Sequence, residues 1–167
     1  MRSHEIFQRM SPALAAEIFG YLHANDRQIY KAAIQGLANQ RKLRPVFVER
    51  KPPGERHAWM QSALSRPISD ALAAHLIQAW LLGAQKPMLC DFLGALEIEH
   101  GEDGTVEQLP AAPPKEKIAQ AVEQLLSNHS PEAVAVYLHA FRDMDSEVQW
   151  PPLDEILSED PRLKLGS

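Results

Sequence analysis

Apolar residues recur every three or four positions along most of the chain, and this spacing predicts an all-α protein. Residues three and four apart lie on the same face of a helix, so each apolar stripe marks a face that packs into a core. The stripe from Leu72 to Leu82 is the widest, which indicates a central helix. We predict about eight helices, which begin near Ser11, Asp26, His57, Ser69, Pro87, Pro114, Ser130 and Pro151.

One helix opening appears three times, and its copies start 58 and 61 residues apart, at Ser11, Ser69 and Ser130. A serine hydroxyl can accept a hydrogen bond from the first helical turn, and proline at the next position, as at Pro12 and Pro131, is tolerated there. A second helix follows each opening. The pattern therefore predicts three related helical hairpins in one domain of residues 1–165, with repeat units at about 11–40, 69–97 and 130–158.

The first opening, Ser11-Pro12-Ala13-Leu14-Ala15-Ala16-Glu17-Ile18, resembles repeats of helical-hairpin proteins. Examples are the flagellar rotor switch protein and the cytoplasmic domain of a magnesium transporter. The resemblance is confined to cap chemistry, alanines and leucines, so it implies a helical hairpin and transfers no function.

Two stretches break the helical pattern. Residues 41–56 form a basic connection with three prolines and a glycine, in which Pro45 to Glu49 is predicted to form one short extended segment. Residues 97–113 form an acidic loop in which Asp103-Gly104 predicts a turn. The chain therefore holds at most one minimal β-hairpin.

The overall net charge of −5 conceals a strong asymmetry along the sequence. Residues 26–66 carry nine Lys and Arg against three Asp and Glu, whereas residues 67–167 carry six against seventeen. A folded chain with this layout can present a basic and an acidic flank, which favours self-association or a charged partner. Two ordinary solvated faces are the alternative interpretation.

Composition also limits the setting of the protein. Cys90 is the single cysteine, so no internal disulfide can form, and we expect a reducing, cytoplasmic environment. The start of the chain lacks the apolar core of a signal peptide, and no apolar run is long enough for a membrane span. Gly166-Ser167 is interpreted as a possible cloning remnant.

The acidic loop holds the densest set of potential metal ligands, which suit Mg²⁺, Ca²⁺ or Mn²⁺ but lack a calcium-loop spacing. An acidic solvated turn is the alternative. The loop's candidate ligands are Glu97, Glu99, His100, Glu102 and Asp103.

His75, in the middle of the most apolar helix, is interpreted as a hydrogen-bonded core histidine, unless it meets Cys90 or Asp91 in a pocket.

The sequence supplies no frame for nucleophilic catalysis, no glycine-rich phosphate loop and no cysteine-rich zinc pattern. Trp80 and Trp150 are interpreted as packing anchors rather than ligand-stacking residues. We therefore predict no catalytic residue, resident metal or cofactor, although an enzyme or metal protein that uses the 97–103 cluster or His75 remains an alternative hypothesis.

The basic stretch is the best functional candidate. We predict a non-catalytic protein-interaction or scaffolding module that contacts another protein, or a second copy of itself, through this stretch. Nucleic-acid binding is the alternative hypothesis, because lysine and arginine neutralise phosphates while Phe47 or Trp59 could stack on a base. The predicted contact residues are Arg41, Lys42, Arg44, Arg50, Lys51 and Arg56.

Overall fold

The computed structural model describes residues 1–143 and 149–166, and over these ranges it confirms the all-α prediction. The described residues form ten α-helices and two single 3-10 turns, with no β-strand among them. The 3-10 turns are Pro67–Ser69 and Pro161–Leu163. The α-helices are α1 (Ser3–Arg9), α2 (Pro12–Asn25), α3 (Arg27–Gln40), α4 (Pro45–Glu49), α5 (Pro53–Leu64), α6 (Asp70–Ala84), α7 (Lys86–Ala95), α8 (Lys115–Asn128), α9 (Pro131–Asp143) and α10 (Pro151–Glu159).

All eight predicted helices are present, and α1 and α4 are additional. The prediction of an extended segment over Pro45–Glu49 is wrong, because these residues form α4. Around Asp103-Gly104 the chain makes a tight turn, in which Gly101 N donates to Thr105 O over 2.8 Å, without adjoining strands. Residues 144–148, inside the third predicted repeat unit, and Ser167 lie outside the described residues.

The chain divides into two compact units, one of residues 1–80 and one of residues 81–165. The boundary falls inside α6 and therefore inside the predicted repeat unit 69–97. The organisation as one domain of three hairpins stays a prediction. The two units also differ in net charge. Residues 1–80 carry 11 Lys and Arg against 6 Asp and Glu, which gives a net charge of +5. Residues 81–165 carry 6 Lys and Arg against 16 Asp and Glu, which gives −10.

In the first unit, α2, α3 and α5 pack together and α1 packs on α5. The rings of Phe7 and Phe19 stack with their centres 5.8 Å apart. Gln61 Nε2 donates to Phe7 O over 2.9 Å and to Met10 O over 3.0 Å, so it satisfies carbonyls left open at the end of α1. Large buried side chains of this core include Ile6, Ile18, Leu22, Ile34, Leu37, Met60 and Leu64.

Ser69 is fully buried and ties the start of α6 to the ends of α3 and α5. Its Oγ lies 2.9 Å from both Ala63 O and Gln40 Oε1. A hydroxyl has one proton, so donation to Ala63 O requires the Gln40 amide to turn its NH₂ group toward Ser69. The hydroxyl of this predicted cap therefore joins three helices.

In the second unit, α7 packs along α8, and α8 also contacts α9 and α10. Phe92, Tyr137, Phe141 and Trp150 form an aromatic cluster, with successive ring centres 5.0 to 5.9 Å apart. Burial raises the pKa of Tyr137 well above its usual range. Trp150 of this cluster and Trp80 of the first unit are both buried, as the packing interpretation predicted.

In the described part of this unit, His139 is a buried polar side chain. Its Nε2 lies 3.0 Å from Leu163 O, and since a carbonyl only accepts, Nε2 carries the proton. Its Nδ1 is buried and has no hydrogen-bond partner in the part of the chain that is described. Burial lowers the pKa of His139, because the charged form would be poorly solvated there.

The predicted cap chemistry is confirmed at two helix starts. Leu14 N donates to Ser11 Oγ over 3.1 Å, and Ile29 N donates to Asp26 Oδ1 over 3.4 Å. Among the helices described, none is both long and apolar enough to cross a membrane.

Candidate functional site

The predicted contact stretch begins with a sharp turn at the end of α3. Leu43 N donates to Ala38 O over 2.8 Å and Lys42 N donates to Asn39 O over 3.1 Å, which is the bond pattern of a Schellman motif. The motif requires a left-handed residue, and Lys42 takes that place with a φ of 56°. The turn ends α3 and leaves Arg41 and Lys42 exposed.

The helix α4 follows because Pro45 suits the first helical position, and Arg44 before it is extended with a ψ of 137°. Consecutive residues of a helix are rotated by about 100°, so three apolar residues in a row cannot all face a core. Val48 is fully buried. Val46 and Phe47 point outward, with 43% and 56% of their surface exposed.

Cations flank this exposed pair in the sequence. Arg44 and Arg50 are exposed, like Arg41 and Lys42, whereas Lys51 is half-buried. Lys51 Nζ lies 5.0 Å from the centre of the Phe47 ring, in the range of a cation–π contact. None of these five cations has an ion-pair partner among the described residues. We call Arg41, Lys42, Arg44, Val46, Phe47, Arg50 and Lys51 the α4 surface.

Arg56, the sixth predicted contact residue, makes contacts inside the unit. Its Nη1 donates to Glu49 O at the end of α4 over 3.3 Å, and its Cζ lies 6.0 Å from the centre of the Tyr30 ring. Burial raises the pKa of the Tyr30 hydroxyl, and the Arg56 charge partly opposes that rise. Arg56 therefore attaches α4 to α3 and α5, and we leave it out of the α4 surface.

The acidic loop begins with a second turn of the same kind. Ile98 N donates to Leu93 O over 2.9 Å, and Glu97 takes the left-handed position with a φ of 58°. Glu97 Oε2 lies 2.9 Å from Lys117 Nζ, and this hydrogen-bonded ion pair lowers the pKa of the Glu97 carboxyl.

Two of the remaining candidate metal ligands of the loop, His100 and Asp103, have local hydrogen-bond partners. His100 Nδ1 lies 2.9 Å from Ile98 O, and Asp103 Oδ1 accepts hydrogen bonds from Thr105 N and Oγ1 over 3.1 and 2.7 Å. Glu102 O accepts a hydrogen bond from Cys90 Sγ over 3.4 Å. In residues 1–143 and 149–166, no three His, Cys, Asp or Glu side chains are grouped so that they could hold a metal ion.

His75 is not the core histidine that the sequence predicted. The buried positions of α6 are Ala73, Leu76, Ile77, Trp80 and Leu81, and this stripe leaves His75 exposed. Asp91, in the other unit, lies 2.8 Å from His129 Nε2 instead. The enzyme and metal alternatives stay predictions.

An open cleft of about 430 Å³ lies beside the acidic loop in the second unit. Its apolar walls include Leu96, Ile98, Pro110 and Pro113. The charged lining residues are Glu97, Glu99 and Lys117. Trp150 Nε1 donates to Pro110 O over 3.1 Å and so holds one wall in place. Sequence reasoning missed this cleft, because its walls are brought together by a contact between residues 40 positions apart.

Sequence reasoning also missed the exposure of Val46 and Phe47. The available signal was the run Val46-Phe47-Val48 directly after Pro45, since one turn of helix cannot bury three consecutive apolar residues.

Comparison of the chain with protein-family models, curated proteins and solved structures found no match.

Proposed function

We propose that the protein is a non-catalytic protein-interaction module that binds an acidic partner through the α4 surface. The observation that carries the proposal is the exposure of Val46 and Phe47, at 43% and 56%, among cations that lack an ion-pair partner in the described residues.

This combination fits the usual anatomy of a protein interface. Aromatic side chains and arginine are enriched at binding hot spots, and a polar rim surrounds them. Here Phe47 offers the aromatic anchor, and Arg44 and Arg50 offer rim charges on either side of it in sequence. Complementary charge accelerates encounter and selects the partner, so carboxylates around an apolar pocket are the expected counterpart.

The fixed position of α4 supports the same role. The helix has only five residues, too few for independent stability, and the buried Val48 and the Arg56 bond to Glu49 O hold it against the unit. A pre-positioned anchor loses less conformational entropy when it binds.

Single-stranded nucleic acid is the second candidate, because an exposed aromatic ring among Lys and Arg is also the arrangement that stacks on bases. The net charge of the whole chain, −5, weighs against it, since nucleic-acid-binding domains are usually basic, whereas the unit of residues 1–80 alone has +5. Nucleic-acid affinity that falls steeply between two salt concentrations in a filter-binding assay would favour this candidate.

A charge-reversal experiment tests the proposal. The triple variant Arg41→Glu, Arg44→Glu, Arg50→Glu reverses the α4 surface. The control Arg27→Glu, Lys31→Glu, Arg66→Glu reverses three other exposed cations of the same unit and changes the net charge equally.

Proteins that co-purify with each tagged variant are quantified by mass spectrometry. We expect the α4 triple variant to lose partners that the control keeps. Identical sets of partners for the wild type and both variants would overturn the proposal.

A further inference from the structure

We propose that the acidic partner of the α4 surface is a second copy of this chain, which receives Phe47 in the cleft beside its acidic loop. This inference rests on the proposed function, and it names the partner. The contact joins residues 1–80 of one copy to residues 81–165 of another.

The cleft has the chemistry that an aromatic side chain requires. Leu96, Ile98, Pro110 and Pro113 supply apolar contact area, and the volume of about 430 Å³ lies in the range of about 300 to 1,000 Å³ that is typical of binding pockets. An aromatic side chain such as Phe47 fits a cavity of this size and character.

The charges of the two surfaces are complementary. Glu97, Glu99 and Lys117 line the cleft. Lys117 pairs with Glu97, whereas Glu99 has no ion-pair partner in the described part of the chain. Phe47 is flanked in sequence by Arg44, Arg50 and Lys51, so a ring that enters the cleft brings cations to the unpaired Glu99. The unit that holds the α4 surface has a net charge of +5 and the unit that holds the cleft has −10, which attracts the two surfaces over a longer range.

Each copy of the chain carries one surface of each kind. Two different surfaces make a heterologous contact, which repeats from copy to copy unless the geometry closes a ring. The wild-type protein is therefore expected to associate in a concentration-dependent way, and more strongly at low salt, because salt screens the exposed charges.

Sedimentation velocity of the full chain over a range of concentrations, at low and high salt, tests the inference with two variants. Phe47→Ala removes the anchor. Ala111→Arg places a bulky cation at an exposed position of the cleft lining. Matched controls are Ile68→Ala, which truncates an apolar side chain that is 70% exposed, and Ala112→Arg, which adds the same cation at an exposed neighbour outside the lining.

We expect Phe47→Ala and Ala111→Arg each to weaken association at least about tenfold, as loss of a hot spot does, while both controls behave like the wild type. A 1:1 mixture of Phe47→Ala and Ala111→Arg should form dimers that do not grow further. In that mixture the intact α4 surface of one variant meets the intact cleft of the other, and the two remaining surfaces are both disabled.

A wild-type sedimentation coefficient that stays at the value of the monomer at every concentration at low salt would overturn the inference. So would equal association of Phe47→Ala and Ile68→Ala, or a mixture that stays monomeric. If the chain is monomeric but the α4 triple variant still loses co-purifying proteins, the self-association is wrong and the proposed function stands.

Discussion

The left-handed lysine at the end of α3 allows a direct test of the backbone geometry that positions the α4 surface. Lys42 has a φ of 56° and occupies the Schellman position where glycine is usual. We consider Lys42→Gly and Lys42→Ala. Both remove the same charge, and only glycine relieves the left-handed strain, so the difference between the two variants isolates the backbone effect.

The expected size follows from two opposing terms. A side chain in the left-handed region costs about 1 to 2 kcal/mol, which glycine removes. Glycine also gives the unfolded chain more freedom, which costs about 0.4 to 1 kcal/mol relative to alanine. We therefore expect Lys42→Gly to be more stable than Lys42→Ala by roughly 0.5 to 1 kcal/mol.

Urea unfolding followed by far-ultraviolet circular dichroism measures this difference as a shift of the midpoint at constant slope. The matched pair Glu97→Gly and Glu97→Ala repeats the experiment in the other unit, where φ is 58°, and the ion pair with Lys117 is lost equally in both variants. Glycine variants that are no more stable than the alanine variants at both positions would refute the reasoning.

Three further predictions concern buried polar groups. The free energy of unfolding of the wild type should fall as pH drops below about 6.5, because the pKa of His139 is lowered in the folded state and the unfolded state therefore binds the proton first. The variant His139→Gln should show a smaller difference in this free energy between urea titrations at pH 5 and pH 7. Trp150→Phe should keep the ring contacts and lose the hydrogen bond to Pro110 O, which lowers the free energy of unfolding by about 1 kcal/mol. Amide hydrogen exchange in residues 97–113 should accelerate, and unchanged exchange would contradict this role of Trp150. Ser69→Ala should destabilise the protein by about 1 to 3 kcal/mol, because it leaves the buried Ala63 carbonyl with one hydrogen-bond partner fewer. A thermal midpoint equal to that of the wild type would contradict this role of the Ser69 hydroxyl.

The helices could be predicted where local chemistry determines them. Ser11 and Asp26 cap α2 and α3 through bonds to residues three positions along, and the stripe of α8 places Ile118, Val122 and Leu125 on one buried face. These signals lie within one or two helical turns, so the sequence alone displays them.

The features that the sequence could not supply depend on distant contacts. The helix α4 forms from a β-branched, strand-like run because Val48 is buried and Arg56 binds Glu49 O. His75 sits in an apolar run but outside the stripe that packs. The cleft owes one wall to the bond between Trp150 and Pro110, which no local pattern shows.

Site-specific photo-crosslinking from position 47 tests the central claim most directly. A photo-reactive phenylalanine analogue replaces Phe47 in one variant and Ile68, the most exposed large apolar residue of the described chain, in the other. We predict protein adducts from position 47 that exceed those from position 68 and that decrease as salt is raised. Equal adducts from both positions, or none from position 47, would contradict the claim that the α4 surface binds a protein.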